Sequence, residues 1–227
     1  MSSIWFFILL PSSFILLFAL FLYWQLIIAE GAYLGQKVVT FLYDRVAHKY
    51  NAIKEFDPND DRLLLAYPLS RTLGPAFDGI VLDVATGTGR LPIALRQFSP
   101  FQGQVIGLDH SRKMMTVARQ SLPDLPLIVA DAMRLPFASS AIPAVTCLEA
   151  LEFLPDPKSG LREFTRVLTP NGILFTTNRV GWETKFMPGK TWAKEELRAI
   201  LQEMQLSDIT ISPWLNIYNQ VWARKRL

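Results

Sequence analysis

Polar and apolar positions divide the chain into three stretches of different character. Ile4 to Ala29 holds no charged residue, and Phe14 to Ala29 is almost wholly Leu, Ile and Phe, interrupted upstream only by Pro11-Ser12-Ser13. Twenty-six uncharged residues at about 1.5 Å rise would span roughly 39 Å, which predicts one N-terminal transmembrane helix over residues 1–30. From Gly31 to Asn51, Val38, Val39, Leu42, Val46 and Ala47 recur on one side of a helix. Beyond Ile80, short apolar runs alternate with amphipathic stretches, the pattern of an α/β domain with a mostly parallel sheet. Strands are predicted at Ile80–Val84, Gly103–Asp109, Pro126–Ala130, from Ala144 and at Ile173–Asn178. Helices are predicted after Leu91, at Arg112–Ser121, Lys158–Leu168 and Ala193–Leu206, and Asp208–Trp214 with Ile217–Ala223 fits an antiparallel hairpin.

The chain turns on one segment, Ile80-Val81-Leu82-Asp83-Val84-Ala85-Thr86-Gly87-Thr88-Gly89-Arg90. A doubly buried strand runs into a loop with two glycines, and Pro92 then sits in the first turn of a helix, where its missing N–H is harmless. Strand, glycine loop and helix N-terminus together bring free N–H groups close to a ligand. Asp83, at the strand end, can accept hydrogen bonds from an ammonium or hydroxyl group. A dinucleotide fingerprint would need a third glycine where Pro92 stands, which disfavours a nicotinamide oxidoreductase. Asp109 lies twenty residues past Gly89, about where an acid meets a ribose in nucleotide-binding βαβ units.

Composition narrows the field. The net charge of +3 is mild, without the concentrated patch of a nucleic-acid binder. A single cysteine, Cys147, excludes an intramolecular disulfide, and His48 and His110 lack metal-ligand spacing, so no metal is expected. Lys37, Arg45, Lys49 and Lys54 follow the apolar run, whereas only Met1-Ser2-Ser3 precedes it. The positive-inside bias then places the domain in the cytoplasm, on a single-pass anchor.

The spacing Asp83-x-Ala85-x-Gly87-x-Gly89 resembles motif I of the class I S-adenosyl-L-methionine (SAM) methyltransferases, with Ala85 where a glycine is usual. Three further stretches carry the resemblance. Tyr43-Asp44-Arg45-Val46-Ala47-His48-Lys49-Tyr50-Asn51 is similar to a Tyr-Asp lid helix found in methyltransferases of quinone biosynthesis. Asp131-Ala132-Met133-Arg134-Leu135-Pro136-Phe137 is similar to the family's third-strand motif, and Arg162 to Leu174 to its Glu-x-x-Arg-Val-Leu-x-Pro-Gly-Gly stretch. The resemblance implies a Rossmann-like, seven-stranded, mostly parallel sheet over residues 80–227, preceded by lid and linker helices over 31–79. It implies SAM as cofactor, held by Tyr50, Asp83, Ala85, Thr86, Gly87, Gly89, Asp109, His110, Met114, Asp131, Ala132 and Glu149. Within that set, Asp109 would bind the ribose, Met114 would pack on the adenine, and Asp131 and Ala132 would meet its edge.

Phe153 stands where the family usually has a histidine, so no base is inherited. Glu149, Glu152 and His110 remain as catalytic candidates, and either glutamate could equally be a solvated surface group. Trp182, Lys185, Phe186 and Trp192 could line an acceptor pocket or touch a membrane surface. The anchor favours an acceptor at the bilayer, a quinone-type ring or a lipid headgroup. A soluble-metabolite methyltransferase and a catalytically silent SAM-binding membrane scaffold are the alternatives. Oligomeric state is not legible in the sequence.

Overall fold

The computed structural model describes residues 2–98 and 100–227, with side chains from residue 13 onward. An apolar helix α1 (Ser2–Tyr23) is followed by a π-helical turn, Trp24–Ile28. Gly35 (φ +89°) then turns the chain into α2 (Gln36–Val46), which leads through α3 (Tyr50–Lys54), α4 (Pro58–Asp61) and α5 (Tyr67–Leu73). Asp57 caps α4 by accepting the Asn59 N–H at 2.7 Å, with Pro58 at the first helical position.

The domain proper alternates strand and helix. It runs β1 (Ile80–Val84), α6 (Arg90–Arg96), β2 (Gln104–Asp109), α7 (Arg112–Ser121), β3 (Leu127–Val129), β4 (Ile142–Cys147) and α8 (Pro157–Val167). It continues through β5 (Leu168–Arg179), α9 (Lys194–Glu203), β6 (Leu206–Trp214) and β7 (Tyr218–Lys225). The strands form one seven-stranded sheet in the order β3-β2-β1-β4-β5-β7-β6, parallel except for the last two, where β7 pairs antiparallel with both β5 and β6. The predicted parallel sheet with its closing hairpin is therefore present. Strand alternation sorts the core. Leu82, Val84 and Val145 face a cluster with Leu161, Phe164 and Leu201, while Val81 and Ala144 face a second cluster with Leu65, Leu69 and Phe175. Both sheet faces are covered, which explains why the strands read as continuous apolar runs.

The strand predicted at Ile173–Asn178 begins earlier: residues 168–172 also belong to β5, where Asn171 takes a left-handed conformation (φ +61°) and the β4–β5 register shifts between Ile142 and Ala144. The expected anchor is described only in part. Met1 and the side chains of residues 2–12 lie outside the described residues, so that part of the expected Ile4–Ala29 span does too. Among the described residues no helix is long and apolar enough to cross a membrane. The span is moreover shortened at its C-terminal end: Gln25 and Ala29 are buried, and Trp24 Nε1 donates to the Phe186 carbonyl at 2.9 Å. Trp24 is held there by that acceptor and by the Tyr33 ring at 5.4 Å, whereas the Gln25 Oε1 atom is buried without a hydrogen-bond partner.

Candidate cofactor and acceptor site

Strand order reverses between β1 and β4, and a ligand in an open α/β sheet binds beyond the strand ends at such a point. The structure has two adjoining cavities there. The larger encloses about 760 Å³ of open space, counting its mouth, and the smaller about 450 Å³. Tyr50, Ala85, Gly87, Leu148 and Glu149 line both and form the waist between them.

The floor of the waist is the β1 loop. Thr86 N–H donates to the Leu108 carbonyl, and Gly89 N–H to the Thr86 carbonyl, so the loop is pinned to β2 and folded on itself. Gly87 (φ +57°) and Gly89 (φ +88°) are left-handed, and a Cβ at Gly89 would come within 3.1 Å of Leu122. Gly89 caps α6 and lies outside both cavity linings. Ala85 is left-handed as well (φ +56°), a conformation costing an L-residue about 1–2 kcal/mol. Ala85→Gly should relieve that strain. Against it stands about 0.5–1 kcal/mol of extra unfolded-state entropy, so the melting temperature should hold or rise slightly. A fall of several degrees in a thermal melt would refute this.

Asp83 is buried, and its two oxygens accept from Thr86 Oγ1 and Thr146 Oγ1, each at 2.7 Å. Burial pushes its carboxyl up to about 6, against the pull of both hydroxyls. Asp83 and Thr86 line the smaller cavity only. Asp109 lines the larger one and accepts from Gly87 N–H (2.8 Å) and Ser111 N–H (2.7 Å). Burial raises its carboxyl too, with those backbone donors acting in the opposite sense. One carboxylate thus ties the β1 loop to the start of α7. Its remaining lone pairs fit a vicinal diol, since a carboxylate has about four acceptor positions.

Met114, His110 and Ala132 line the larger cavity, as expected of an adenosine site, whereas Asp131 does not. Its Oδ1 accepts the Met133 N–H at 2.8 Å, the work of a turn residue, and its neighbours Ala130 and Ala132 face the cavity instead. Among the catalytic candidates, Glu149 sits at the waist, left-handed (φ +52°), with its N–H held by Thr177 Oγ1 at 2.7 Å. Its carboxylate is paired with Arg90 Nη1. His110 is exposed and its Nδ1 lies 2.8 Å from Thr40 Oγ1. The reading of Glu152 as a solvated group is corrected: it is 1% exposed, bonded to Tyr218 Oη at 2.6 Å, and lines neither cavity.

Several site residues were missed by the sequence reading. Gln36, Val39, Thr40 and Tyr43 of α2 form a wall of the larger cavity; the helical period of that segment was visible, but not which face meets the cleft. Arg90 joins Glu149 to Asp61 (2.7 Å) and lies 4.1 Å from the Phe56 ring centroid. Asn51 accepts from Thr88 Oγ1 at 2.5 Å. These contacts latch residues 50–61 over the β1 loop, and no local sequence signal marks partners so far apart.

A nucleoside-sized cleft at the switch point of a Rossmann-like sheet, floored by a glycine loop and an acid at the end of β2, defines a nucleoside-cofactor-binding α/β protein. The comparisons with known proteins sharpen that class. Residues 82–176 match the family model described as a methyltransferase domain. A demethylmenaquinone methyltransferase of Lactobacillus johnsonii is 36% identical over 175 residues, covering 70% of this chain and 71% of that one. The demethylmenaquinone methyltransferase of Staphylococcus epidermidis is 32% identical over 59% of this chain, which spans just over half (56%) of the relative's length. A SAM-dependent methyltransferase of Aquifex aeolicus shares the fold, with a TM-score of 0.61 at 18% identity over 80% of this chain and 97% of that one. The chain belongs to the class I SAM-dependent methyltransferases, and that family's cofactor is SAM.

Proposed function

We propose that this protein transfers the methyl group of SAM to a quinone-type ring lodged in a membrane. The observation that carries the reading is the waist: two cavities, one floored by Asp109 and Met114 and the other by Asp83 and Thr86, meet at Tyr50, Ala85, Gly87 and Glu149. Asp109 would hold the ribose hydroxyls, Met114 and Ala132 the adenine, and Asp83 the ammonium end. Gly89 and Asp131 would act by shaping the loops beside the ligand. When bound, SAM supplies an electrophilic methyl group on a sulfonium.

The chain's own part is alignment and exclusion of water, which suits a reaction whose reagent is already activated. Tyr43, Phe153 and Leu154 give the larger cavity an aromatic and apolar wall against which a flat ring can lie. Glu149, which lines the waist, would take a proton from the acceptor once released from Arg90. Support for a quinone acceptor comes from the relatives' names and from the Tyr43–Asn51 lid. Support for a membrane location, with the domain on the cytoplasmic side, comes from the exposed apolar α1 and the lysines that follow it.

Methyl-labelled SAM should test this directly. Incubated with the full chain and a detergent-dispersed demethylated quinone, it is expected to move label into the extracted quinone. Label in an added soluble phenol but never in the quinone would replace the acceptor. Tight SAM binding with no transfer to any acceptor would mark a silent scaffold.

A further inference from the structure

Helix α1 does not end in free space. Trp24 lies 5.4 Å from the Tyr33 ring centroid and donates to the carbonyl of Phe186, which itself packs on Trp182 at 5.9 Å. Tyr33 Oη donates to Pro188 O at 2.8 Å, and two residues later Lys190 Nζ donates to the carbonyls of Leu154 (2.5 Å) and Pro155 (3.0 Å). Leu154 and Pro155 line the larger cavity. The base of the apolar helix is thus one loop away from the cleft's rim.

Helix α2 makes a second link. Gln36, Val39, Thr40 and Tyr43 face the cavity. Lys37, Phe41 and Arg45, spaced by four, are exposed on the opposite side together with Leu34, and the Arg45 guanidinium lies 5.6 Å from the Phe41 ring centroid. Phe41 is 57% exposed and Trp182 63%, large aromatic groups left in water beside exposed Lys37 and Lys185. Basic and aromatic side chains along one helix face are the composition of an interfacial helix.

We infer that Leu34, Lys37, Phe41 and Arg45, with Trp182, Lys185 and Phe186, form a collar that seats on an anionic lipid bilayer. The cleft then opens at headgroup level. Three observations select a bilayer as occupant. Phe14 to Leu22 are exposed around the whole circumference of α1, at 38% for Leu22 and 71% for Phe14. A groove on a protein partner would cover one face of such a helix, whereas an acyl-chain medium covers all of it. The collar's exposed charges are basic, which complements anionic headgroups. Finally, the collar is continuous with the base of α1. The inference rests on the reading of the acceptor as membrane-lodged and adds how it enters: laterally, with its ring passing between α2 and the Leu154–Pro155 rim.

The test uses the full chain reconstituted in phosphatidylglycerol–phosphatidylcholine vesicles, with an environment-sensitive fluorophore on a cysteine introduced as Phe41→Cys, Trp182→Cys or Gln202→Cys. Gln202 is exposed on α9, outside the collar, and native Cys147 is buried. Probes at 41 and 182 should shift to the blue and be quenched by bromine-labelled acyl chains, and the probe at 202 should not. Lys37→Gln with Lys185→Gln should weaken the preference for anionic over zwitterionic vesicles, by about five-fold for each lysine. Vesicle-bound protein whose probes at 41 and 182 remain in water would overturn the collar. A shift that appears without lipid as protein concentration rises would overturn it in favour of a second copy of the chain. Methyl transfer to the detergent-dispersed quinone, read in parallel, tests the acceptor reading separately, so either can fail alone.

Discussion

Replacing Asp109 with alanine is expected to cripple cofactor binding, lowering affinity for S-adenosylhomocysteine by about 10²–10⁴-fold while the chain stays folded. The magnitude follows from the number of bonds lost. A carboxylate holding two ligand hydroxyls contributes roughly 1.5–3 kcal/mol through each charge-assisted bond. The same substitution removes the acceptor of the Gly87 and Ser111 N–H groups, which now ties the β1 loop to α7. The ligand's diol and the loop that approaches it therefore lose support together. Asp109→Asn keeps an acceptor and should fall between the two. Titration calorimetry of the three proteins with S-adenosylhomocysteine, beside an NADH control, measures this. Undiminished binding by Asp109→Ala would remove Asp109 from the site, and binding of NADH alone would remove the cofactor assignment.

The second large effect belongs to Asp83. Its carboxyl is pushed up to about 6 from 3.8 by burial, so folding favours the protonated form. The sign follows: the folded chain is penalised progressively as pH rises from about 4 to about 6, and the penalty is constant above that. At neutral pH its ceiling is on the order of 3 kcal/mol. Asp83→Asn should therefore stabilise the ligand-free protein at pH 7, by about 1–2 kcal/mol once a weakened bond to Thr86 or Thr146 is allowed for. The gain should vanish below pH 4. The same variant should lose affinity for SAM more than tenfold, because a neutral amide cannot balance the ligand's ammonium. Melting curves of wild type and variant across pH, with and without S-adenosylhomocysteine, separate the two effects. A stability gap that is the same at pH 4 and pH 7 would show that Asp83 does not carry the cost. Charge kept buried at the expense of stability is the expected signature of a binding group.

Much of this was legible along the chain because the signals are local. The strand at Ile80–Val84 and the loop that follows need only adjacent residues, so they could be read without a partner in view. Asp109 was found by its distance from Gly89, a spacing set by one βα unit. The helix at Arg112–Ser121 follows from Ser111 as its cap, and in the structure the Ser111 hydroxyl accepts the Met114 N–H at 3.0 Å. The roles of Glu152 and Asp131 were not legible. An acid after a strand reads alike whether it faces a ligand, a turn N–H or a buried tyrosine. Only the packing of β7 against the exit of β4 puts Tyr218 over Glu152 and takes that carboxyl out of water.

The sequence by itself determined the alternation of strands and helices, the glycine loop and the acid at the end of the second strand, because each is encoded by periodicity or by short-range conformational preference. Tertiary structure alone decided which residues share the cleft. It brought Arg90 between Asp61 and Glu149, laid one face of α2 over the Asp109 side of the cavity, and turned the last apolar residues before Gly31 onto the domain. These are contacts between residues separated by 29 to 162 positions, and at such distances pairing is set by how the layers pack, which no local pattern records.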